Sequence, residues 1–306
     1  LIPTQMLGLW PSLLGKYGLF RQKALVWPMA SDSATAAIQT GDVTVYAPGS
    51  GVAPTASSPG FTNVGLNARK MMTLTAIDRE LTEDMAIAVG ELVGRSIARA
   101  FAKNEDKIGF LGDGTSTYFN FFGLIPSILK VDATPANIQA IQVQATAGTW
   151  AAIAKGDITG MVGRLDDDAD DEDCEWYGHR NFFYTVIVPL ALSLGGTTTE
   201  EWLGKPYNRQ PTLLGRPFNF SRVFPRVIAS ADHVPLLLGN LQMAAVIGQS
   251  RQLTVEQSTE AYFTTDQIGI RGTERIALST NHAVGGLSSD DNAAGPAVVG
   301  LLADIS

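Results

Sequence analysis

The strongest pattern of apolar and polar positions in the chain begins at Thr82. Apolar side chains recur at Met85, Val89, Val93, Ile97 and Phe101, flanked by Leu81, Ala88 and Leu92, and predict a helix with a broad apolar stripe. In this reading Thr82 caps the first free amides, and Glu83 and Asp84 put negative charge in the first turn. Gly112 and Gly114 stop the run. The opposite face carries Glu91, Arg95, Arg99 and Lys103 at steps of four. Glu91 before Arg95 is the favourable order, worth about 0.3–0.5 kcal/mol, whereas the cations that follow repel one another unless something acidic lies opposite. About 27 residues at 1.5 Å each make a rod of about 40 Å, long enough to act as a spine for an elongated body.

The segment before this helix has a different pattern. Residues 1–37 mix large apolar groups, Trp10 and Phe20 among them, with Pro3, Pro11, Gly8, Gly15 and Gly18. Glycine and proline at that density oppose a stable helix, so an extended arm lying on other protein surface is expected, with an ordinary first strand as the alternative. From Ile38 the chain turns to Thr, Gly, Ser, Pro and Ala, with a short strand expected at Val43–Ala47 and a weakly apolar tip after it. An alternation follows, with Val64, Leu66, Ala68, Met72, Leu74 and Ala76 on one side and Asn67, Arg69, Thr73 and Thr75 on the other. It predicts a long hairpin that needs a neighbour to cover it.

Beyond the glycine stop, Tyr118, Phe119, Phe121 and Phe122 predict an anchored loop. Residues 132–150 read as a variable connection. A second helix is expected from about Thr149 to Leu165, ending in an acidic run. Phe182–Val188 has the pattern of a buried strand, with Pro189 opening a short helix. Strands are expected at Val223–Ile228, Val234–Leu238, Met243–Ile247, Leu253–Val255 and Ile268–Leu278, before a Gly-, Ser- and Asp-rich tail from about Gly285. No repeat period is visible, and the order of elements indicates an α+β fold.

Composition narrows the classes. At 306 residues the chain can bury a large core, and two lobes are expected. The single cysteine, Cys174, cannot form an internal disulfide, so stability must come from packing and, if the fold is thin, from neighbouring subunits. A net charge of −8 and a pI of about 4.9 argue against an electrostatic nucleic-acid binder. The longest apolar run, about Phe182–Leu194, is broken by polar residues and too short to cross a bilayer, so no membrane partner is expected. The chain begins at Leu1, which suggests either an incomplete chain or the product of proteolysis.

Chemistry is sparse. The acidic run offers Asp166, Asp168, Asp170 and Asp173 as weak metal candidates, yet no register supplies an EF-hand. Three readings stay open for it: a solvated loop, a divalent cation site, or the partner of a basic surface on another subunit such as Arg95 and Arg99. His179, His233 and His282 lack ligand spacing and read as structural, and the acidic neighbours of Cys174 disfavour a nucleophilic thiol. Neither Ser221 nor Ser279 lies in a nucleophile elbow, and the Gly112-Asp113-Gly114 turn follows a helix, so it is no phosphate loop. No cofactor is expected. A metal-dependent hydrolase using the acidic run is the distant enzymatic alternative.

The arm, the Pro/Gly-rich hairpin, RKMMTLTAIDRELTEDM leading into the long helix, KNEDKIGFLGDG and the following Gly-Leu-Ile turn together resemble major capsid proteins of tailed bacteriophages, the Hong Kong 97 fold. In the second half, Leu214, Gly215, Pro217, Ser221 and Pro225 look like the family's turn-and-strand segment. Leu238-Gly239-Asn240-Leu241 looks like its apolar-Gly-Asp segment, with Asn in place of Asp. Phe263, Asp266, Arg271 and Arg275 look like its late strand.

The resemblance implies an N-terminal arm over 1–37, an E-loop hairpin over 38–76, a P-domain with the spine helix over 77–135, a mainly A-domain stretch over 136–235, and a return to the P-domain with a C-terminal tail over 236–306. It implies a non-enzymatic shell protein of the virion, assembled in the host cytoplasm as hexamers and pentamers around double-stranded DNA. Portal, scaffold or maturation protease, and a decoration protein, are the expected partners. Trp10, Phe20, Arg69, Arg95, Arg99, Lys103, Gly112, Gly114, Arg271 and Arg275 are the expected assembly and structural positions. An encapsulin shell, of the same fold but housing enzyme cargo, is the alternative. Some members cross-link a hairpin lysine to a neighbour's asparagine with help from a glutamate. Here no lysine lies between Lys23 and Lys70, so no such link is expected.

Overall fold

The computed structural model describes residues 18–41, 43–80, 89–129, 141–143, 150–194, 203, 211–226, 233–280 and 296–303. Trp10, Thr82–Ala88, His282 and the tail from Gly285 to Gly295 lie outside these residues. Among the described residues, those up to Ala34, Leu66–Pro126 and Ala245–Thr280 form one unit. Thr35–Gly65, Ser127–Ala244 and those beyond Asn281 form a second.

Residues 1–17 of the expected arm lie outside the described residues, and the described part of the first unit opens with a short helix, α1 (Leu19–Lys23). Strand β1 (Leu25–Pro28) follows and pairs in parallel with the long strand β10 (Val246–Tyr262). Strand β11 (Gln267–Ser279) pairs antiparallel with β10 on one side and with β4 (Arg69–Asp78) on the other, so the sheet order is β1-β10-β11-β4. The single strand β10 takes in the residues expected as a strand at Leu253–Val255.

Helix α2 (Val89–Leu111) lies on this sheet. Its buried positions, Ile97, Ala98, Phe101, Ala102, Glu105 and Ile108, recur at helical spacing, while Arg95, Arg99 and Lys103 are exposed. Leu92, expected on the apolar stripe, is exposed. The close approach rests on Gly272 of β11, where an added Cβ would come 2.9 Å from Ile97 and 3.0 Å from Phe101.

The expected hairpin is drawn differently. Strands β2 (Ser33–Gly41) and β3 (Gly60–Asn67) make a two-stranded sheet of their own, and no strand forms at Val43–Ala47. Beyond the strands, Ser57 holds the tip by exchanging hydrogen bonds with the backbone of Thr44 at 3.0 and 3.1 Å. The alternation read as continuous from Val64 to Ala76 changes phase at Ala68. Val64 and Leu66 are buried in β3, but in β4 the buried side chains are Met71 and Ile77, leaving Met72 and Leu74 exposed. The physical reason is a change of partner: the chain leaves the hairpin at Ala68 and joins β11.

The second unit is built on a six-stranded mixed sheet with the order β5-β12-β9-β6-β8-β7. Its strands are β5 (Ile141–Val143), β6 (Cys174–Gly178), β7 (Thr212–Leu213), β8 (Arg216–Phe220), β9 (His233–Asn240) and β12 (Val298–Ala303). Strand β6 is buried throughout and β9 buries Val234 and Leu236–Leu238, as expected of strands covered on both faces. Most of β9 and all of β12 lie within residues 236–306, and both strands belong to this sheet.

Helix α3 (Leu124–Leu129) precedes β5. After it come α4 (Lys155–Val162), which buries Ile158 and Met161, and α5 (Arg180–Phe182). A π turn over Phe183–Ile187 leads from α5 into α6 (Val188–Leu194). The buried strand expected at Phe182–Val188 is therefore a helical run. Phe182, Phe183, Val186, Ile187 and Ala191 are buried while Tyr184, Thr185 and Leu192 are exposed, which is a helical repeat. A short apolar stretch does not declare its period, and His179 starts this one as a helix by accepting the Asn181 amide at its Nδ1 (2.9 Å).

Two other strands were misplaced. Ser221–Arg226, in the region expected as Val223–Ile228, is irregular, and Met243 lies in the short helix α7 (Leu241–Ala244).

Candidate assembly surfaces

Phe20, expected as an assembly or structural position on the arm, is a core residue of its own subunit. Its side chain is fully buried, edge-on to Phe110 with ring centroids 5.2 Å apart. The ring stands on Gly109 of α2, where an added Cβ would fall 2.4 Å from it. The Phe20 amide donates to Asp106 Oδ1 at 2.8 Å, so the long helix supplies the cap that the start of α1 lacks in its own sequence. Burial pushes the Asp106 carboxyl up to about 6, against the lowering effect of the Phe20 and Leu19 amides.

The Gly112-Asp113-Gly114 stop is a structural knot. An added Cβ at Gly112 would meet the carbonyl oxygens of Ile108 and Phe121 at 2.6 and 2.7 Å, and Gly114 has a positive φ of 82°. Asp113 accepts from the Thr115 amide and hydroxyl at 2.9 and 2.7 Å, which holds its carboxyl below the usual range. The aromatic loop is only partly anchored: Phe121 is buried, Phe122 is exposed, and Lys107 lies 5.1 Å over the Tyr118 ring.

Two of the charged candidates in the first unit, Arg275 and Arg271, meet acids within it. Arg275 binds Asp32, which also accepts from Ser250 at 2.8 Å, and both contacts keep the Asp32 carboxyl low. Asp32 also accepts the Ala68 amide at its carbonyl, 2.7 Å away, so the two roots of the hairpin are tied together. Beside this tie Met29, Leu66 and Ala277 form a small apolar cluster. Arg271 pairs with Glu256 across the β10–β11 ladder. Arg69 is exposed on β4, an edge of its sheet, and Arg95, Arg99 and Lys103 line the outer face of α2.

The acidic run has an internal use. Asp170 takes Arg216 through Nε at 2.8 Å and Nη2 at 2.6 Å. Asp171 accepts from Asn240 Nδ2 at 2.9 and 3.0 Å, and Asn240 Oδ1 in turn accepts the Gln242 amide at 2.8 Å to start α7. Asp166 donates its amide to the Pro296 carbonyl, and Asp173 donates its amide to Asp171. The Asp168 side chain lies outside the described residues. Among the described residues no three acidic, histidine or cysteine groups converge as a metal site.

Glu175, which the sequence places at the end of the acidic run, is instead a buried carboxylate of β6 that accepts from Asn219 at 2.7 Å and Tyr177 at 3.2 Å. Its signal in the sequence was a single charge set among Cys174, Trp176 and Tyr177, all of them groups that favour burial. Cys174 is buried, and burial foremost pushes its thiol up to about 12.

Compared with known protein families, residues 1–283 match the phage capsid family. The chain belongs to that family. This capsid protein is a structural subunit of the virion shell and not an enzyme. Its fold is the Hong Kong 97 type, since solved capsids superpose over most of the chain. The capsid of an empty GTA particle is 15% identical with a TM-score of 0.69, covering 93% of this chain and 89% of that one. Microbacterium phage Oxtober96 is 16% identical with a TM-score of 0.65 and coverages of 94% and 91%. The capsid of cyanophage P-SCSP1u is 15% identical with a TM-score of 0.58 and coverages of 94% and 89%. No curated protein matches the capsid protein's sequence.

Proposed function

We propose that this capsid protein closes hexamers and pentamers into an icosahedral head around double-stranded DNA, with the β2–β3 hairpin as the E-loop laid on a neighbouring subunit. The unit with α2 and the four-stranded sheet serves as the P-domain, and the unit with the six-stranded sheet as the A-domain.

The hairpin carries this reading. It has only two strands, and isolated two-stranded ribbons are marginal in water. Its outer half nevertheless exposes Val45 (92%), Val52 (64%) and Phe61 (64%). Such a ribbon gains stability by lying on other protein, and repeated modest contacts under closed symmetry add up to a strong shell.

Assembly takes place in the host cytoplasm, with a portal, a scaffold or maturation protease and a decoration protein as partners. Electron microscopy of the purified assembly tests the reading. Closed shells with hexameric and pentameric units holding DNA are expected, and DNA-free shells packed with enzyme cargo would instead favour an encapsulin. Boiled, denatured particles should run near 32.6 kDa, because the hairpin has no lysine to link, and a ladder of multimers would refute this.

Arg95, Arg99 and Lys103 turn toward the lumen or a neighbour in this scheme. Arg99→Glu should change subunit stability by less than about 1 kcal/mol, as for other exposed charges, while altering assembly yield or DNA content. Unfolding of the subunit by this change would place the row inside the fold.

A further inference from the structure

Three charged side chains meet between α1, α2 and β11. Arg21 lies between Glu105 and Glu274, and the side chains are 9%, 1% and 0% exposed. Arg21 serves Glu105 twice, through Nε at 2.8 Å and Nη2 at 2.6 Å, but reaches Glu274 once, from Nη2 to Oε1 at 2.6 Å. The other Glu274 oxygen, Oε2, is buried and has no hydrogen-bond partner among the described residues.

One guanidinium against two carboxylates leaves a net negative charge in a site sealed from water. A buried unpaired charge costs more than taking up a proton. A protonated Glu274 removes that charge and becomes a donor, and the Glu105 carboxylate is within its hydrogen-bonding reach. We infer that the Arg21–Glu105–Glu274 cluster holds one proton on Glu274 at neutral pH, and that this proton latches residues 18–24 onto α2 and β11 so that its loss loosens them.

The surrounding charges leave the assignment on Glu274. From α1 comes Arg21, and from α2 comes Glu105, while Asp106 is engaged with the Leu19 and Phe20 amides. On β4 the residue opposite Glu274 is uncharged Met71, and Lys70 faces Arg275. On β10, Arg251 lies opposite Arg275 and near Glu256, and Thr254 lies opposite Thr273. Arg275 itself is held by Asp32.

Burial first, and then the charge of Glu105, push the Glu274 carboxyl up to about 8. The closed segment therefore keeps its proton to about pH 8, whereas an opened segment loses it near the ordinary carboxyl value. Opening becomes easier as pH rises toward 8 and levels off above it. Asp106 acts with the same sign but is finished near pH 6, so the interval from 6 to 8 reports Glu274.

Hydrogen exchange on the full chain tests the latch at the amides of Phe20, Gln22 and Ala24, which are bonded to Asp106, Gly18 and Phe20 respectively. After correction for intrinsic exchange, the opening constant should rise by up to about tenfold per pH unit from 6 to 8. In Glu274→Gln, whose amide copies the protonated acid, it should be flat. A flat wild-type profile, or an equal slope in both proteins, overturns the inference. Infrared spectra of the wild-type chain with 13C-labelled glutamate give a second readout that does not depend on the variant folding. A protonated glutamate band at pH 7 that fades above about pH 9 is expected, and its absence at pH 7 overturns the inference equally.

Discussion

Phe20→Ala will cost the subunit about 3–5 kcal/mol of folding stability, the range for emptying a well-packed aromatic site. The ring is fully buried against Phe110 and seated on Gly109, so its removal empties a packed site beside the long helix. Urea unfolding of the unassembled subunit at fixed pH measures the loss. A cost below about 1 kcal/mol would mean that α1 contributes little to the unit and that Phe20 serves another subunit after all.

Asn240→Asp will cost about 3 kcal/mol at pH 7, the upper end for a hydrogen bond to a charged partner. The side chain is 2% exposed and its amide group donates to both oxygens of Asp171. An aspartate there sets carboxylate against carboxylate without a donor between them. The deficit should shrink as pH falls toward 5, because the crowded pair takes up a proton more readily in the folded state than in the unfolded one. Thermal melts at the two pH values check the sign. The exchanged pair, Asp171→Asn with Asn240→Asp, should recover most of the loss. The substitution that sets this chain apart from the family's apolar-Gly-Asp pattern thus has a local cause, an acidic run that already supplies the carboxylate.

The long helix and strand β11 were legible because each carries a sustained period. Ile97, Phe101 and Ile108 repeat on one face of α2, and Arg95, Arg99 and Lys103 on the other, over several turns. The run at Phe182–Val188 was not legible, since a short apolar stretch fits a buried strand or a buried helix equally well. The alternation around Ala68 misled for another reason: two strands with different partners were joined without a polar break, so the buried face switched from even to odd positions. The Arg21 cluster was out of reach altogether. Its members lie 84 and 253 positions apart, and nothing local at Glu105 or Glu274 distinguishes a buried acid from a solvated one.

Cys174 lends the particle a property useful at the bench. The only sulfhydryl in the sequence is buried, with its thiolate strongly disfavoured, so this thiol should resist maleimides and similar electrophiles in the folded subunit. A cysteine written into the exposed hairpin tip, at Val45 for instance, becomes an addressable handle present once per subunit. A fluorophore or a crosslinker placed there follows the hairpin from free subunit to closed head, with the subunit's own thiol shielded.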